Sequence, residues 1–277
     1  MLRSQNEPCQ LNDNRGVNQV RTNQVKQALQ SGQVSLGTFI FEFSTTGIGR
    51  IASEAGAEFV LFDMEHTGWS VETIRMLIAS TRSVDAVPIV RVPATQYHFM
   101  ARVLDMGAMG IMLPMVESVE QAQLIVDSCK YPPMGKRGAA FTIAHDDYTG
   151  GDVATKIREA NDNTLLIAQI ETARGLDNVE QIAQVEGLDV LWIGQYDLSS
   201  SLGIPGQFDH PDFLSAVERV VAATNAHNKV AGFMPLSVEE SQLRLRQGFR
   251  CLAYGGDLWL YKKVLADGLK EIRASVR

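Results

Sequence analysis

Short apolar runs rich in β-branched residues recur along the chain, separated by stretches whose apolar residues have helical spacing. Continuous apolar runs are typical of strands buried on both faces, and their alternation with helices indicates a parallel α/β sheet. Eight runs predict eight strands, over residues 35–43, 59–65, 87–92, 110–116, 164–172, 189–197, 230–234 and 251–255.

Amphipathic stretches between these runs predict helices, among them residues 71–80, 97–106, 119–129 and 211–227. Eight strand and helix units favour closure into a (β/α)8 barrel, the TIM barrel, and 277 residues is close to the usual length of one such domain. We therefore expect a single barrel domain over residues 21–277 and a flexible lead-in over residues 1–20. The first predicted strand lacks the Gly-rich fingerprint of a dinucleotide-binding fold.

Residues 131–163 interrupt this rhythm with YPPMGKRG and a polar stretch. Long insertions between barrel elements are often functional, so this segment is predicted to form a lid, with His145 as a residue that could meet substrate.

Composition excludes several classes of protein. The formal charge of -7 without a basic run argues against nucleic acid as a partner. No stretch approaches the roughly 20 apolar residues of a membrane span. The three cysteines are widely spaced, which argues against a disulfide framework or a cysteine zinc site and fits the cytoplasm.

Ionisable residues fall at the ends of the predicted strands. His66 follows the second run, Arg91 lies near the end of the third, Glu171 near the end of the fifth and Asp197 at the end of the sixth. Catalysis in a barrel takes place at the carboxyl ends of the strands, so these side chains are expected to meet at one mouth. These residues could also have purely structural roles. A carboxylate at a strand end can cap a helix, and Arg91 can pair with a carboxylate inside the barrel.

Six motifs in order carry a resemblance to a known family: DMEH at 63–66, IVRVP at 89–93, LPMVES at 113–118, YPPMGKRG at 131–138, QIET at 169–172 and GQYDLSSSLGIPGQFDHP at 194–211. From about residue 25 to the C-terminus the chain resembles the HpcH/HpaI aldolases, the metal-dependent class II pyruvate aldolases that include 4-hydroxy-2-oxoheptanedioate aldolase. The resemblance implies a TIM barrel that cleaves or forms 4-hydroxy-2-oxo acids, to or from pyruvate and an aldehyde.

The resemblance also assigns roles to residues. It implies that Glu171 and Asp197 bind a divalent metal, Mg²⁺, Mn²⁺ or Co²⁺, and that His66 serves in acid/base chemistry. Arg91 would contact the pyruvyl oxygen, and Asp105 would orient His66 from behind.

Gln169, Tyr196 and Asp197 complete the expected substrate-binding set with Arg91. Many family members have Pro and a small residue where this chain has Gln195 and Tyr196, and a small-residue stretch where it reads AAFTIAHDDY. Both differences lie on the substrate side, so they leave the acceptor aldehyde open.

Three other functions remain open: oxaloacetate decarboxylation, a citrate-lyase-like carbon–carbon cleavage, and a non-catalytic metabolite-binding barrel in which Tyr196 fills the aldehyde position. No lysine lies near a predicted strand end in apolar surroundings, so a Schiff-base mechanism lacks an evident nucleophile. The resemblance further implies a homo-oligomer, a hexamer or trimer, in which residues 258–276 are a plausible exchanged helix.

Overall fold

The computed structural model describes residues 21–276, so the lead-in predicted for residues 1–20 lies outside the described residues. Eight parallel strands pair in chain order, and the eighth returns to the first to close the barrel. The predicted (β/α)8 barrel is confirmed. The strands are β1 Ser35–Ile40, β2 Phe59–Asp63, β3 Val87–Arg91, β4 Gly110–Leu113, β5 Leu165–Ile170, β6 Val190–Ile193, β7 Val230–Phe233 and β8 Cys251–Gly256.

Helices surround the barrel and cover most of its outer face. Among residues 21–276, no helix has the length and apolarity needed to cross a membrane. The helices are α1 Gln24–Gln30, α2 Ile48–Glu54, α3 Val71–Ala79, α4 Tyr97–Asp105, α5 Val119–Cys129, α6 Val153–Asn163, α7 Ala173–Asp177, α8 Val179–Ala183, α9 Gln195–Ser201, α10 Pro211–Ala226, α11 Val238–Arg246 and α12 Asp257–Ala274.

Several observed strands end before the predicted runs do. β2 ends at Asp63 and β6 at Ile193, whereas the sequence patterns continue to residues 65 and 197. The residues beyond the strand ends belong to the loops and first helical turns at the barrel mouth. Asp197 accordingly lies in the first turn of α9.

Side-chain alternation fills the barrel interior. Alternate residues of each strand point inward and form one apolar cluster, and the intervening residues pack under the helices in another. Glycines stand beside the largest inward side chains: a Cβ on Gly37 would lie 2.5 Å from the Phe59 ring, and one on Gly232 would lie 2.3 Å from the Trp192 ring. The glycines therefore leave room for these rings on the neighbouring strands.

The amino-terminal face of the barrel is closed by α1 and by a group of buried charges. Val25 of α1 packs into the interior cluster, and Lys26 pairs with Asp189 at 3.0 Å. Lys130, 1 % exposed, donates to the carbonyl oxygens of Asn161 and Thr164. Burial lowers the pKa of Lys130 to about 7, helped by the neighbouring charge of Lys26 and opposed by Asp189.

The last helix leaves the barrel. Beyond Leu260 every described residue of the chain is exposed, including an apolar stripe on α12 formed by Tyr261, Leu265, Leu269 and Ile272. An apolar groove of about 620 Å³ lies open between α2 and α11, over β1 and β8. Within residues 21–276, the barrel therefore presents both an uncovered groove and a last helix whose residues beyond Leu260 are all exposed.

We expect the free energy of unfolding to depend on the charge of Lys130. Its pKa in the folded state is near 7 and lies below that of an unfolded lysine, so between pH 7 and about 10 the unfolded chain binds more protons. Stability should therefore rise with pH across this window, by up to about 1 kcal/mol per unit. Urea unfolding at several pH values should show this rise for the wild type and a shallower rise in Lys130→Met, in which Lys229, whose pKa is also lowered by burial, remains.

Lys136→Met is the matched control, because this lysine is largely exposed beside Asp127. Its stability should follow the wild-type pH dependence. Equal pH slopes in Lys130→Met and the wild type would contradict the effect of burial.

Candidate active site

A polar layer closes the barrel interior at the carboxyl ends of the strands. Asp63 follows the inward residues Phe59 and Leu61 on β2, and Arg91 holds the same position on β3, after Ile89. Asp63 and Arg91 are direct neighbours in the register of the two strands. The alternation of the strands therefore brings the carboxylate and the guanidinium into contact.

Asp63 is fully buried and acts as the centre of this layer. One of its carboxylate oxygens accepts from Arg91 Nε at 2.6 Å, and the backbone N–H groups of Glu65 and His66 donate to the carboxylate at 3.1 and 3.0 Å. The Arg91 guanidinium also lies 3.2 Å from Glu65 and rests over the Phe39 ring at 5.2 Å. Asp63 thus fixes both the guanidinium and the loop that carries His66.

His66 lines the cavity at the barrel mouth, and its side chain is 57 % exposed. Its Nε2 lies 3.6 Å from the Glu65 carboxylate. Burial raises the pKa of Glu65, an effect that Arg91 and then His66 oppose. The imidazole is accessible to a bound molecule and has an acidic neighbour.

Glu171 lies just beyond β5 and is 2 % exposed. It accepts from the backbone N–H of Met115 at 2.6 Å and from the side-chain amide of Gln169. Met115, the residue that makes this contact, has φ +54°, which few non-glycine residues adopt. A Cβ on Gly194 would lie 2.2 Å from a Glu171 oxygen, so this glycine leaves the space that Glu171 occupies.

Uncompensated negative charge surrounds Glu171. Burial raises its pKa to about 7, the Met115 N–H opposes this, and the charges of Glu65 and Asp197 raise it further. Asp197 itself lines the cavity from α9. Glu65, Glu171 and Asp197 thus lie close enough together for their negative charges to interact, and Arg91 is the positively charged neighbour that opposes them. Among residues 21–276, no three His, Cys, Asp or Glu side chains are placed to hold a metal ion together.

The residues above surround a cavity of about 590 Å³ at the carboxyl ends of the strands. His66, Arg91, Gln169, Tyr196 and Asp197, five of the sequence-predicted site residues, line it, and Glu171 contacts Gln169 beside it. The structure therefore brings six of the seven predicted residues to one place.

Asp105 is the predicted residue that this chain does not bring to the site. It ends α4, which runs back from the mouth towards the amino-terminal face, and its carboxylate accepts from Arg137 at 2.6 Å. The prediction that Asp105 orients His66 is therefore not met within the chain. The carboxylate nearest the backbone of His66 is that of Asp63, which the sequence analysis did not assign a role.

The segment 131–163 does not form a lid in this structure. None of its residues lines the cavity at the mouth. His145 contacts the carbonyl oxygen of Ala140, and Arg82, which follows α3, donates to Asp147 and the Ala144 carbonyl. The polar character of the segment serves packing against the outer helices.

Comparison with known families agrees with this geometry. The family model described as HpcH/HpaI aldolase/citrate lyase matches residues 38–263. The chain belongs to this family. The curated relatives include the 2-keto-3-deoxy-L-rhamnonate aldolase of Escherichia coli (strain K12 / DH10B), which is 30% identical over 253 residues, 91% of this chain and 94% of the relative.

Solved structures of relatives share the whole barrel. An HpcH/HpaI aldolase from Desulfitobacterium hafniense DCB-2 superposes with a TM-score of 0.86 at 31% identity, covering 90% of this chain and 96% of its own. The citrate synthase SbnG superposes with a TM-score of 0.81 at 30% identity, covering 91% and 98%. Similar proteins thus include both an aldolase and a citrate synthase on the same fold.

We expect Asp63→Asn to destabilise the fold, because the buried Arg91 then loses its closest charged partner and keeps only Glu65 at 3.2 Å. Breaking a buried ion pair costs on the order of 3 kcal/mol. Asp267→Asn, which alters the exposed pair with Lys263, should cost less than about 1 kcal/mol. Urea unfolding at pH 7.5 measures both. An equal loss in the two variants would show that burial adds nothing to the Asp63–Arg91 pair.

Proposed function

We propose that this chain is a divalent-metal-dependent aldolase that cleaves or forms 4-hydroxy-2-oxo acids, with pyruvate as one product or substrate. The observation that carries the proposal is that Asp197 and Arg91 line one cavity and that Glu171 lies close enough to interact with the charges of both. A carbon–carbon lyase of this type needs a place for the negative charge that develops on the keto oxygen. The aldolase and the citrate synthase among its relatives support carbon–carbon bond chemistry as the reaction type.

The carboxylates fit a hard divalent cation. Glu171 is buried beside other carboxylates, and one of its oxygens lies against Gly194, which itself lines the cavity. Carboxylate oxygens suit Mg²⁺ and Mn²⁺ and admit Co²⁺, with substrate oxygens and water completing the shell. When bound, such an ion would act as a Lewis acid that draws charge onto the keto oxygen of pyruvate.

Arg91 and His66 supply the chain's own contributions. The Arg91 guanidinium is fixed by Asp63 and Glu65, so it presents a preorganised positive charge to the cavity wall without having to rearrange. His66, exposed in the cavity, can take or return the hydroxyl proton of the aldol, since an imidazole changes protonation near neutral pH. Gln169, buried with a free side-chain oxygen, can accept a hydrogen bond from a bound molecule.

Lysine chemistry has no support at this mouth. Among the described residues that line the cavity there is no lysine. Lys130, the buried lysine whose pKa is lowered to about 7, lies at the opposite end of the barrel. A covalent imine with pyruvate would therefore lack a nucleophile in reach.

Our test measures exchange of the methyl protons of pyruvate into deuterated water, which needs no knowledge of the aldehyde. Exchange should stop on chelation and return with Mg²⁺, Mn²⁺ or Co²⁺, and borohydride with pyruvate should not inactivate the protein. Glu171→Ala and Asp197→Ala should each weaken Mn²⁺ binding in calorimetry without loss of the barrel. Glu180→Ala, on an outer helix, is the control with wild-type affinity.

Each outcome discriminates among the functions. Exchange that survives chelation, or a borohydride-trapped pyruvyl lysine, would contradict the proposal. If the protein releases carbon dioxide from oxaloacetate and no aldehyde from 4-hydroxy-2-oxo acids, its function is oxaloacetate decarboxylation instead. Metal binding without exchange or cleavage would indicate a metabolite-binding barrel. Tyr196 is 53 % exposed and lines the cavity of about 590 Å³ without filling it.

We further propose that the protein is a homo-oligomer in which α12 of one copy covers the groove of another. The groove is lined by apolar residues of α2 and α11, including Ile51, Val238 and Leu245, and in a (β/α)8 barrel a helix belongs there. The apolar stripe of α12 matches this surface in character. A hexamer or a trimer of such copies would bury both surfaces.

Leu269→Asp on the stripe and Ile51→Asp in the groove should each lower the molar mass in solution. The reason is that each places a carboxylate in the same apolar contact, from opposite sides. Lys270→Asp adds the same group beside the stripe and should keep the wild-type mass. Light scattering after gel filtration measures all three. A monomeric wild type, or an unchanged mass in both apolar variants, would exclude the exchange.

A further inference from the structure

Four aromatic side chains ring the cavity mouth: Phe41, Trp69, Tyr196 and Trp259, here called the aromatic collar. Tyr196 and Trp259 are 53 % and 42 % exposed. The rings are nevertheless supported, because Phe41 meets Trp259 edge-on at 5.0 Å and Tyr196 meets Phe208 edge-on at 5.2 Å. Large aromatic surfaces grouped at a cavity mouth indicate a contact with a bound molecule.

The collar is fixed by the connection between β1 and α12. The Asp257 carboxylate accepts from the backbone N–H groups of Phe41, Glu42 and Phe43 at 2.9, 2.9 and 2.6 Å. A Cβ on Gly256 would lie 2.8 Å from the Trp259 ring and 3.0 Å from the Phe41 ring. Glycine followed by aspartate thus holds the two rings together before any ligand binds.

The charges at the mouth disfavour an anionic second substrate. Glu42 lines the cavity beside the collar. Among the described lining residues, Arg91 is the only arginine or lysine, and its guanidinium is held by Asp63 and Glu65. A carboxylate on the far end of an aldehyde would therefore face Glu42 without a free cation to pair with.

We propose that the aromatic collar is the binding site for the aldehyde and selects uncharged aryl aldehydes over carboxylated ones. This inference rests on the proposed aldolase function. In the condensation, C3 of pyruvate gives up one proton to base and forms a bond to the aldehyde carbon. The carbonyl electron pair moves to the aldehyde oxygen, which takes up one proton, so nothing is oxidised or reduced.

The test compares benzaldehyde with 4-carboxybenzaldehyde, which differ in one carboxylate. With pyruvate and Mn²⁺, kcat/KM for benzaldehyde should be at least about tenfold higher, a difference typical of one mismatched group in a pocket. Proton exchange of pyruvate alone is measured in parallel. Loss of exchange would refute the aldolase function itself, whereas normal exchange with equal kcat/KM values would overturn the collar's role alone.

Variants separate the aromatic contact from the charge. Trp259→Ala should lower the ratio of benzaldehyde condensation to proton exchange about tenfold, whereas Glu42→Gln should narrow the preference against 4-carboxybenzaldehyde. Tyr148→Ala, an exposed aromatic residue outside the cavity, is the matched control with a wild-type ratio. An equal ratio in Trp259→Ala and Tyr148→Ala, or an unchanged preference in Glu42→Gln, would contradict the inference.

Discussion

The buried ion pair between Asp63 and Arg91 is the contact on which the rest of the site depends. The two residues occupy neighbouring inward positions on β2 and β3, so barrel closure itself brings them together. Both side chains are buried, and a buried charge without a partner would be costly. The ion pair is therefore part of the folded state itself. Because Asp63 also accepts from the backbone of His66, one carboxylate fixes a cation and an imidazole relative to each other.

Because Arg91 is paired with Asp63, Glu171 has no cation of its own among the described residues. Arg91 is shared between Asp63 and Glu65, so the field of Glu65 and Asp197 remains to raise the pKa of Glu171. A fold that buries carboxylates in this excess is less stable than one that pairs them. A divalent cation would offset that cost, so the surplus of negative charge agrees with the proposed metal dependence.

The sequence predicted the barrel because its strands are buried on both faces and read as continuous apolar runs. It also located His66, Arg91, Glu171 and Asp197, since each lies where a run ends. Where it was incomplete, the missing information was three-dimensional. The alternation of β2 places Asp63 inward, yet its link to Arg91 requires the strand register, which the apolar pattern alone does not determine.

Asp105 shows the opposite case, a residue that the sequence analysis assigned to the site and that the structure places elsewhere. It is close to β4 in sequence, but α4 runs antiparallel to the strands, so its last residue lies at the amino-terminal face beside Arg137. Helix direction, once the barrel is assigned, would have separated it from the mouth. The sequence could not predict the aromatic collar for another reason. Phe41 and Trp259 are 218 positions apart and meet only because β8 returns to β1.

That closure links the proposed aldehyde site to the proposed assembly. α12 begins at the mouth, where Asp257 ties it to β1 and Trp259 joins the collar, and it ends away from its own barrel. If its apolar stripe docks in the groove of a second copy, one helix carries both that contact and the first turn with Trp259. The three backbone hydrogen bonds to Asp257 hold this turn to β1 and so keep Phe41 and Trp259 together at the proposed aldehyde site.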